Sequence, residues 1–508
     1  MTSGHDALPP DGTAPGAHRV AIIGGGITGL AAAHRLISLN DRVQVALFEG
    51  SQRPGGIIQT QHRDGFLIEL GPDSFITNKP GGVRLCEEIG FSDQLIPTDN
   101  RFRRSLVLRK GRPRPVPDGF MLMAPARAWP ILTTPVLSVR GKLRLLGEAF
   151  IPGRTLDDES LADFVRRRFG KQALDRLVQP LVGGIYTSDP EKLSLRATLP
   201  RFPDMERDYG SVIRGTLATQ KSKTSNASAT SGSGARYGLF TTPADGLSSL
   251  IAALVQTLTA SGRVDFRTSV SVDGLVELTD AAAQDTSGTE QSAAWRVQCS
   301  DGSAESFHDV IITVPTHRAA SLLKSTSLQP LAESLQQIEY ASSAVAVTAH
   351  RLKDFSHPLD AFGLVIPHIE NRRVLAVSFA SRKFPNRAPE GHVLLRTFVG
   401  GAMQPELLQQ DDSQILAMVQ EELKNLLGMK SPPLFSQLVR YQNAMPQYHV
   451  GHLSRVAQIE QLLQQHPGLH LAGSAYHGVG IPDSITSGRA AAEHAVERAG
   501  GTAVTESA

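Results

Sequence analysis

The chain has 508 residues, of which 41% are hydrophobic and 20% charged, the composition of an ordinary globular protein with roughly two or three domains. Its net charge of +2 gives no general case for nucleic-acid binding, and its two distant cysteines, Cys86 and Cys299, exclude a disulfide framework and a CxxC motif. No run approaches about 18 consecutive apolar residues, so we expect no membrane-spanning helix. Residues 1–17 and 499–508 are predicted to be disordered tails.

A glycine-rich turn between two predicted strands is the first informative element. Residues 20–23 are typical of a buried strand, residues 30–39 of a helix, and residues 43–48 of a second strand. The turn fits a dinucleotide fingerprint, because glycines allow a tight turn, the approach of a pyrophosphate and close packing of helix on strand. These glycines are Gly24, Gly26 and Gly29.

Glu49 follows the second strand, about 20 residues beyond the last of these glycines. A carboxylate at this place accepts hydrogen bonds from a ribose and disfavours a 2′-phosphate. We therefore expect FAD or NAD rather than NADP. The alternative is a βαβ unit that binds no ligand.

Three later segments are predicted to return to this nucleotide domain: residues 238–272, 309–315 and 469–498. Between them lie two insertions. Residues 95–208 are mostly helical in pattern, with Ser160 as a predicted N-cap and Gly170 as a predicted stop. Residues 323–439 contain alternating runs that predict an antiparallel sheet. Residues 219–234 and 280–292 are of low complexity and predict flexible loops.

Several short motifs resemble those of the amine-oxidase-type FAD flavoproteins. They are Arg53-Pro54-Gly55-Gly56, Phe66-Leu67-Ile68-Glu69-Leu70-Gly71-Pro72, Leu471-Ala472-Gly473-Ser474, Gly478-Val479-Gly480-Ile481 and Ser487-Gly488-Arg489-Ala490-Ala491. Within that group, three further pieces are similar to the oxygen-dependent protoporphyrinogen oxidases. These are residues 180–190, Met445-Pro446-Gln447-Tyr448 with Gly451-His452, and Ala475-Tyr476-His477-Gly478-Val479. The resemblance covers about residues 18–498.

The resemblance implies a mixed α/β fold. A Rossmann-type FAD-binding domain (18–94, 238–322 and 440–498) would carry an inserted antiparallel-sheet substrate domain (209–237 and 323–439) and a mostly helical, membrane-associated domain (95–208). The implied cofactor contacts are Gly24, Gly26, Ile27, Thr28, Gly29, Glu49, Arg53, Gly55, Gly56, Leu70, Gly71, Pro72, Asp73, Val270, Gly473, Val479, Gly480 and Ile481. For Gly55 and Gly56 an ordinary turn is the alternative.

The family's substrate is an apolar tetrapyrrole with two propionates, which needs an apolar cavity and a cation at its rim. Arg104 is the best match among the cations of residues 101–114, and a solvated, charged hairpin is the alternative reading of that segment. The remaining implied substrate contacts are Gly183, Gly184, Val347, Leu364, Val365 and Phe379. On sequence grounds alone, core packing explains Phe379 at least as well.

The chemistry implied is oxidation of protoporphyrinogen IX to protoporphyrin IX, with hydride transfer to the flavin and reoxidation by molecular oxygen to give hydrogen peroxide. No catalytic base and no metal site is nominated, and His449, His452 and His477 are read as structural. A coproporphyrinogen-specific oxidase is the main rival. Amine oxidases, carotenoid desaturases and a binding protein like the flavin-free GDP-dissociation inhibitors are the others.

Residues 119–150 mix apolar side chains with arginine and lysine, a pattern typical of contact with an anionic bilayer. A helical subdomain with a buried face is the alternative. We expect a cytoplasmic protein, peripheral on the inner face of the cell membrane, that forms a homodimer and hands its product to a metal-inserting chelatase.

Overall fold

The computed structural model describes residues 17–125, 127–154, 156–224, 239–278 and 294–499. The predicted loop at 280–292 and nearly all of the two predicted tails lie outside the described residues. Of the loop predicted at 219–234, residues 219–224 are helical and residues 225–234 lie outside the described residues.

The strands, numbered along the chain, are β1 (His18–Ile23), β2 (Val43–Glu49), β3 (Thr60–Arg63), β4 (Phe66–Glu69), β5 (Phe75–Ile76), β6 (Leu95–Pro97), β7 (Ser105–Arg109), β8 (Arg112–Pro115), β9 (Phe120–Met121), β10 (Ala124–Pro125), β11 (Phe240–Pro243), β12 (Val264–Thr268), β13 (Val272–Glu277), β14 (Trp295–Cys299), β15 (Ala304–Phe307), β16 (Asp309–Ile312), β17 (Tyr340–Arg351), β18 (Gly363–Val365), β19 (Ala376–Phe379), β20 (His392–Gly400), β21 (Phe435–Pro446) and β22 (Leu469–Leu471).

The helices are α1 (Ile27–Leu39), α2 (Pro80–Glu88), α3 (Ala128–Thr133), α4 (Val139–Leu146), α5 (Leu161–Arg168), α6 (Lys171–Ala173), α7 (Gln179–Tyr186), α8 (Leu195–Thr198), α9 (Arg201–Tyr209), α10 (Val212–Thr224), α11 (Leu247–Ala260), α12 (Thr316–Leu322), α13 (Gln329–Gln336), α14 (Ala380–Lys383), α15 (Asp412–Leu427), α16 (His452–Leu463) and α17 (Ile481–Arg498).

A five-stranded parallel sheet carries the glycine-rich turn. Its order is β12-β2-β1-β16-β22, so the discontinuous segments of the predicted nucleotide domain pair as neighbours. Alternate residues of β1 enter two cores: Val20 and Ile22 pack with α1, α11 and α17, and Ala21 and Ile23 pack with β14 and α13 on the opposite face. Burial on both faces explains why this strand is a continuous apolar run. The predicted Rossmann-type architecture is confirmed.

The second large sheet has seven strands in the order β21-β17-β20-β19-β18-β7-β8, antiparallel except between β18 and β7. One face, called here the outer face, packs against α15. The sequence assigned residues 95–208 to a helical insertion, but residues 105–115 form the β7–β8 hairpin and extend this sheet. Residues 440–446, predicted in the nucleotide domain, likewise belong to edge strand β21. The β8 strand consists of alternating arginine and proline, and this composition does not predict a strand.

Helices α3 to α10 form a third unit around one core. The predicted start and stop of α5 are confirmed: the Ser160 side chain accepts a hydrogen bond from the Asp163 backbone N–H at 3.0 Å, and Gly170 follows the helix with φ +89°. Val212 is fully buried in this core and Ile213 packs against it, so the start of α10 belongs to the helical unit and not to the substrate domain as predicted. Among the described residues, no helix is long and apolar enough to cross a membrane.

Candidate functional site

The turn after β1 is shaped to receive a diphosphate. Gly24 has φ +112°, and a Cβ on Gly29 would lie 2.0 Å from the carbonyl oxygen of Gly24, so both positions require glycine. A Cβ on Gly26 would meet nothing within 4 Å, and this residue starts α1 without a side-chain cap. The first turn of α1, with Ile27 and Thr28, therefore lacks a side-chain cap at the positive end of the helix, next to the open space at Gly26.

The carboxylate of Glu49 ends β2 beside this turn. Its two oxygens accept hydrogen bonds from the backbone N–H groups of Gly25 and Ser51, each at 2.8 Å. These bonds fix the carboxylate, and each oxygen keeps a second lone pair for a ribose hydroxyl. The Val270 N–H donates to the carbonyl of Glu49 at 3.2 Å. The Val270 carbonyl is therefore the backbone group of this residue that could accept a hydrogen bond from adenine. The uncapped helix and this acid fit the adenosine diphosphate half of a dinucleotide.

The Arg53 guanidinium organises the next turn. It donates hydrogen bonds to the carbonyls of Pro54, Gly56 and Ile58. The turn is held against the first one, because the Gly55 N–H donates to the carbonyl of Gly25 at 2.7 Å. Arg53 was predicted as a cofactor contact, and the structure uses its side chain to shape the turn.

Residues 70–73 approach both this turn and the seven-stranded sheet. A Cβ on Gly71 would lie 2.0 Å from the carbonyl oxygen of Ile57, so only glycine allows the two segments to lie this close. From the sheet, Tyr441 donates its hydroxyl to the carbonyl of Leu70, and Arg396 donates to the carbonyl of Gly71. Pro72 then leads to Asp73.

Asp73 lies in an ion-pair cluster that the sequence did not reveal. Lys383 donates to its carboxylate at 2.8 Å, and Arg396 lies 3.4 Å away. Burial raises the pKa of the Asp73 carboxyl, but the two cations outweigh it and hold the pKa well below its usual value. Asp73 is therefore ionised and paired with Lys383 and Arg396. Its predicted contact with the cofactor stays a prediction.

The carboxyl-terminal motif completes the group of turns. The Gly473 N–H donates to the Ser487 hydroxyl at 2.9 Å, and Gly480 is the residue before α17. Val479 packs against the core of the helical unit, between that unit and Ile481 at the start of α17. The Gly480 N–H donates to the Asp483 carboxylate at 3.3 Å, and the contact of this helix start with an electron-rich ring edge stays a prediction.

Two of the predicted substrate residues point away from these turns. Leu364 and Phe379 are fully buried in the core between the outer face and α15, whereas Arg396 lies on the opposite face. Arg104 precedes β7, binds Asp360 through its guanidinium and is half exposed. The predictions for Leu364 and Phe379 are wrong in orientation, because successive strand residues alternate between faces and the sequence alone does not fix the parity. The role of Arg104 stays a prediction.

The face that carries Arg396, called here the inner face, holds an apolar row. Paired residues of neighbouring strands share a face, and the strand pairing aligns one residue from each of six strands. In order across the sheet they are Val345, Phe398, Ala376, Val365, Val107 and Arg114. Phe398 was missed in the sequence, although the alternation along β20 carried the signal. Val347 is on this face but is fully buried under β4.

Arg109 and Arg176 meet at the boundary of the sheet and the helical unit. Arg109 shares the inner face with Val107, by alternation along β7, and lies 3.9 Å from Glu370. Burial and the charge of Arg109 lower the pKa of Arg176. The Glu370 carboxylate acts on both guanidiniums, and two cations that interact in this way also suit a ligand carboxylate.

Gly183 and Gly184 lie in α7 and line a small cavity with Thr187, Gly400 and Met403. A Cβ on Gly184 would meet nothing within 4 Å, so this part of the helix presents bare backbone. In the described ranges, no group of three His, Cys, Asp or Glu side chains is arranged to hold a metal.

The chain is similar to known proteins over nearly its whole length. The family model of flavin containing amine oxidoreductases matches residues 27–496. A coproporphyrinogen III oxidase from Propionibacterium freudenreichii is 36% identical across 98% of this chain and 94% of the relative. Protoporphyrinogen oxidase 2 of Arabidopsis thaliana is 27% identical across 94% of this chain and 93% of the relative. A solved Exiguobacterium structure, provisionally assigned as a protoporphyrinogen oxidase, is 28% identical with a TM-score of 0.80 and covers 94% of this chain and 99% of that one.

Proposed function

Because the chain belongs to the family of flavin-containing amine oxidoreductases, with FAD as its cofactor, we propose that it oxidises a porphyrinogen and that coproporphyrinogen III is the substrate. The sequence favoured protoporphyrinogen IX and kept coproporphyrinogen as the main alternative. The higher identity to a coproporphyrinogen III oxidase than to a protoporphyrinogen oxidase supports reversing that order.

The single structural observation that carries the proposal is the inner face. Phe398 and Val365 are its partly exposed apolar members, whereas Val345 and Val107 are buried in neighbouring cores. Its end bears Arg114, with Arg109 nearby on the same face. Arg176 supplies a further cation from the helical unit. Several fixed cations suit a substrate with four propionates better than one with two, and an arginine pairs a carboxylate bidentately.

Bound FAD would accept a hydride from the porphyrinogen, and molecular oxygen would take up the electrons to give hydrogen peroxide. The chain's own groups hold and shield the reactants. The turns at Gly26 and Gly56 and the carboxylate of Glu49 hold the cofactor, and Phe398 and Val365 exclude water from the reacting face. His452 is fully buried, and burial lowers its pKa to about 4, so it is a neutral structural group and not a general base.

The substrate proposal is tested by comparing the two porphyrinogens. Purified holoenzyme is mixed with coproporphyrinogen III or protoporphyrinogen IX under air, and porphyrin fluorescence gives kcat/KM for each. We expect a preference of at least about tenfold for coproporphyrinogen III, the effect of one good carboxylate contact. Equal or reversed values would reject that substrate, and the reversed result would restore protoporphyrinogen IX.

We further propose that the helical unit rests on an anionic membrane surface. Trp129 and Phe150 are 73% and 85% exposed, and Val139 and Leu143 are exposed one turn apart on α4, beside Arg140. Large apolar side chains flanked by cations are typical of interfacial binding. Cytoplasmic location on the inner membrane face, a homodimer and hand-over to a chelatase stay predictions.

Vesicle flotation tests the membrane contact. The double variant Trp129→Ser/Phe150→Ser is compared with Leu434→Ser, a control that removes an apolar side chain 45% exposed outside the helical unit. We expect wild type and the control to float with phosphatidylglycerol vesicles and not with phosphatidylcholine vesicles, and the double variant to stay in solution. Flotation of the double variant at the wild-type level would reject this surface.

A further inference from the structure

The segment between β21 and α16 joins the helical unit to the carboxyl-terminal turn. On the helical side, the Ser194 N–H donates to the carbonyl of Tyr448 at 2.7 Å, and the Val450 N–H donates to the carbonyl of Lys192 at 2.9 Å. The Gly451 N–H donates to the Asp158 carboxylate at 3.1 Å. These bonds fix the backbone of the segment to the unit that carries Gly183 and Gly184.

The side chain of Tyr448 reaches in the other direction. Its hydroxyl donates to the carbonyl of Ser474 at 2.6 Å and accepts the Gly478 N–H at 2.8 Å. One phenol oxygen therefore holds both ends of the turn that precedes Val479. Tyr448 is only 1% exposed, so water does not compete for these two bonds.

The ring of Tyr448 is held by a second buried side chain. The His452 imidazole stacks on it with ring centroids 3.9 Å apart and planes 12° apart. His452 Nε2 lies 3.0 Å from the carbonyl of Tyr476, the middle of the same turn. The two side chains thus contact the turn at three backbone groups.

We propose that Tyr448, supported by His452, is a positioning residue that sets the turn at residues 474–478 and links its conformation to the helical unit. Val479 and Gly480 follow directly. A shift of the turn would therefore move the Val479 N–H, which we place at the flavin ring, and the Gly480 N–H, which donates to the Asp483 carboxylate at 3.3 Å. This inference rests on the flavin of the family and is independent of which porphyrinogen is oxidised.

The variant Tyr448→Phe tests it, because the ring and its stacking stay while both hydrogen bonds are lost. We expect FAD affinity to fall about tenfold, as for two lost buried hydrogen bonds. We also expect the flavin absorption bands to shift and the reduction potential to decrease, because displaced donors stabilise the reduced ring less. Amide exchange at residues 474–480 should accelerate in the apoprotein.

The control is Tyr340→Phe, which removes the hydroxyl of a partly buried tyrosine that accepts one backbone N–H, that of Thr316 at 2.9 Å. It should lower the melting temperature to a smaller extent and leave FAD affinity, flavin spectrum and potential unchanged. If Tyr448→Phe fails to fold, His452→Phe keeps the stacked ring and loses the bond to Tyr476, and should shift the same properties less. Affinity, spectrum and potential equal to wild type in the variant that folds would overturn the proposal.

Discussion

Replacing Gly71 by alanine tests the close approach of two turns on which the cofactor site depends. The added Cβ would lie 2.0 Å from the carbonyl oxygen and 3.0 Å from the carbonyl carbon of Ile57. Both are backbone atoms, so one segment must move by about 1 Å to restore ordinary van der Waals separation. Overpacking of this kind costs about 1–3 kcal/mol. The displaced turn also carries Gly55 and Gly56, so we expect FAD affinity to fall at least about tenfold.

The assay is reconstitution of apoprotein with FAD, followed by flavin fluorescence quenching and by thermal melting with and without FAD. The matched control is Gly147→Ala, where an added Cβ would meet nothing within 4 Å and φ is −71°. The control should bind FAD and melt like wild type. If Gly71→Ala behaves as the control does in both measurements, the geometric account of this site is refuted.

In steady-state assays, Arg109→Ala should raise KM for the porphyrinogen about tenfold, with a smaller change in kcat. Arg104 is paired with Asp360, so Arg104→Ala should leave KM within about twofold. Phe398→Ala should lower kcat/KM about tenfold by the same assay; Phe379→Ala should instead lower the melting temperature, through a cavity worth about 3–5 kcal/mol, and leave KM unchanged. The buried His350 has its pKa lowered by desolvation to about 4 from 6.5, so the unfolded chain binds more protons between these values. Stability should fall as the pH drops from about 6.5 towards 4, by about 3 kcal/mol in all, and denaturant titrations of His350→Leu should show a shallower fall.

The turn at residues 24–29 was predictable because all its determinants are local. Glycine spacing, the strand before it and the acid after the next strand lie within about 30 residues. The start of α5 at Ser160 was predictable for the same reason, since an N-cap acts on its own first turn.

The substrate face was not predictable, because it depends on strand register between distant segments. Phe398 shares the face of Arg396 by alternation along β20, but only the pairing of β19 with β20 shows that Phe379 lies on the opposite face. The ion pair of Asp73 with Lys383 joins residues 310 positions apart, so no local sequence pattern predicts it.

Anaerobic mixing of the holoenzyme with a porphyrinogen tests the central claim most directly, that this chain oxidises such a macrocycle at its flavin. Stopped-flow absorbance would follow the flavin in the absence of oxygen. The account predicts loss of the oxidised flavin spectrum, faster with coproporphyrinogen III than with protoporphyrinogen IX and slowed in Phe398→Ala. A flavin that stays oxidised with both porphyrinogens would contradict it.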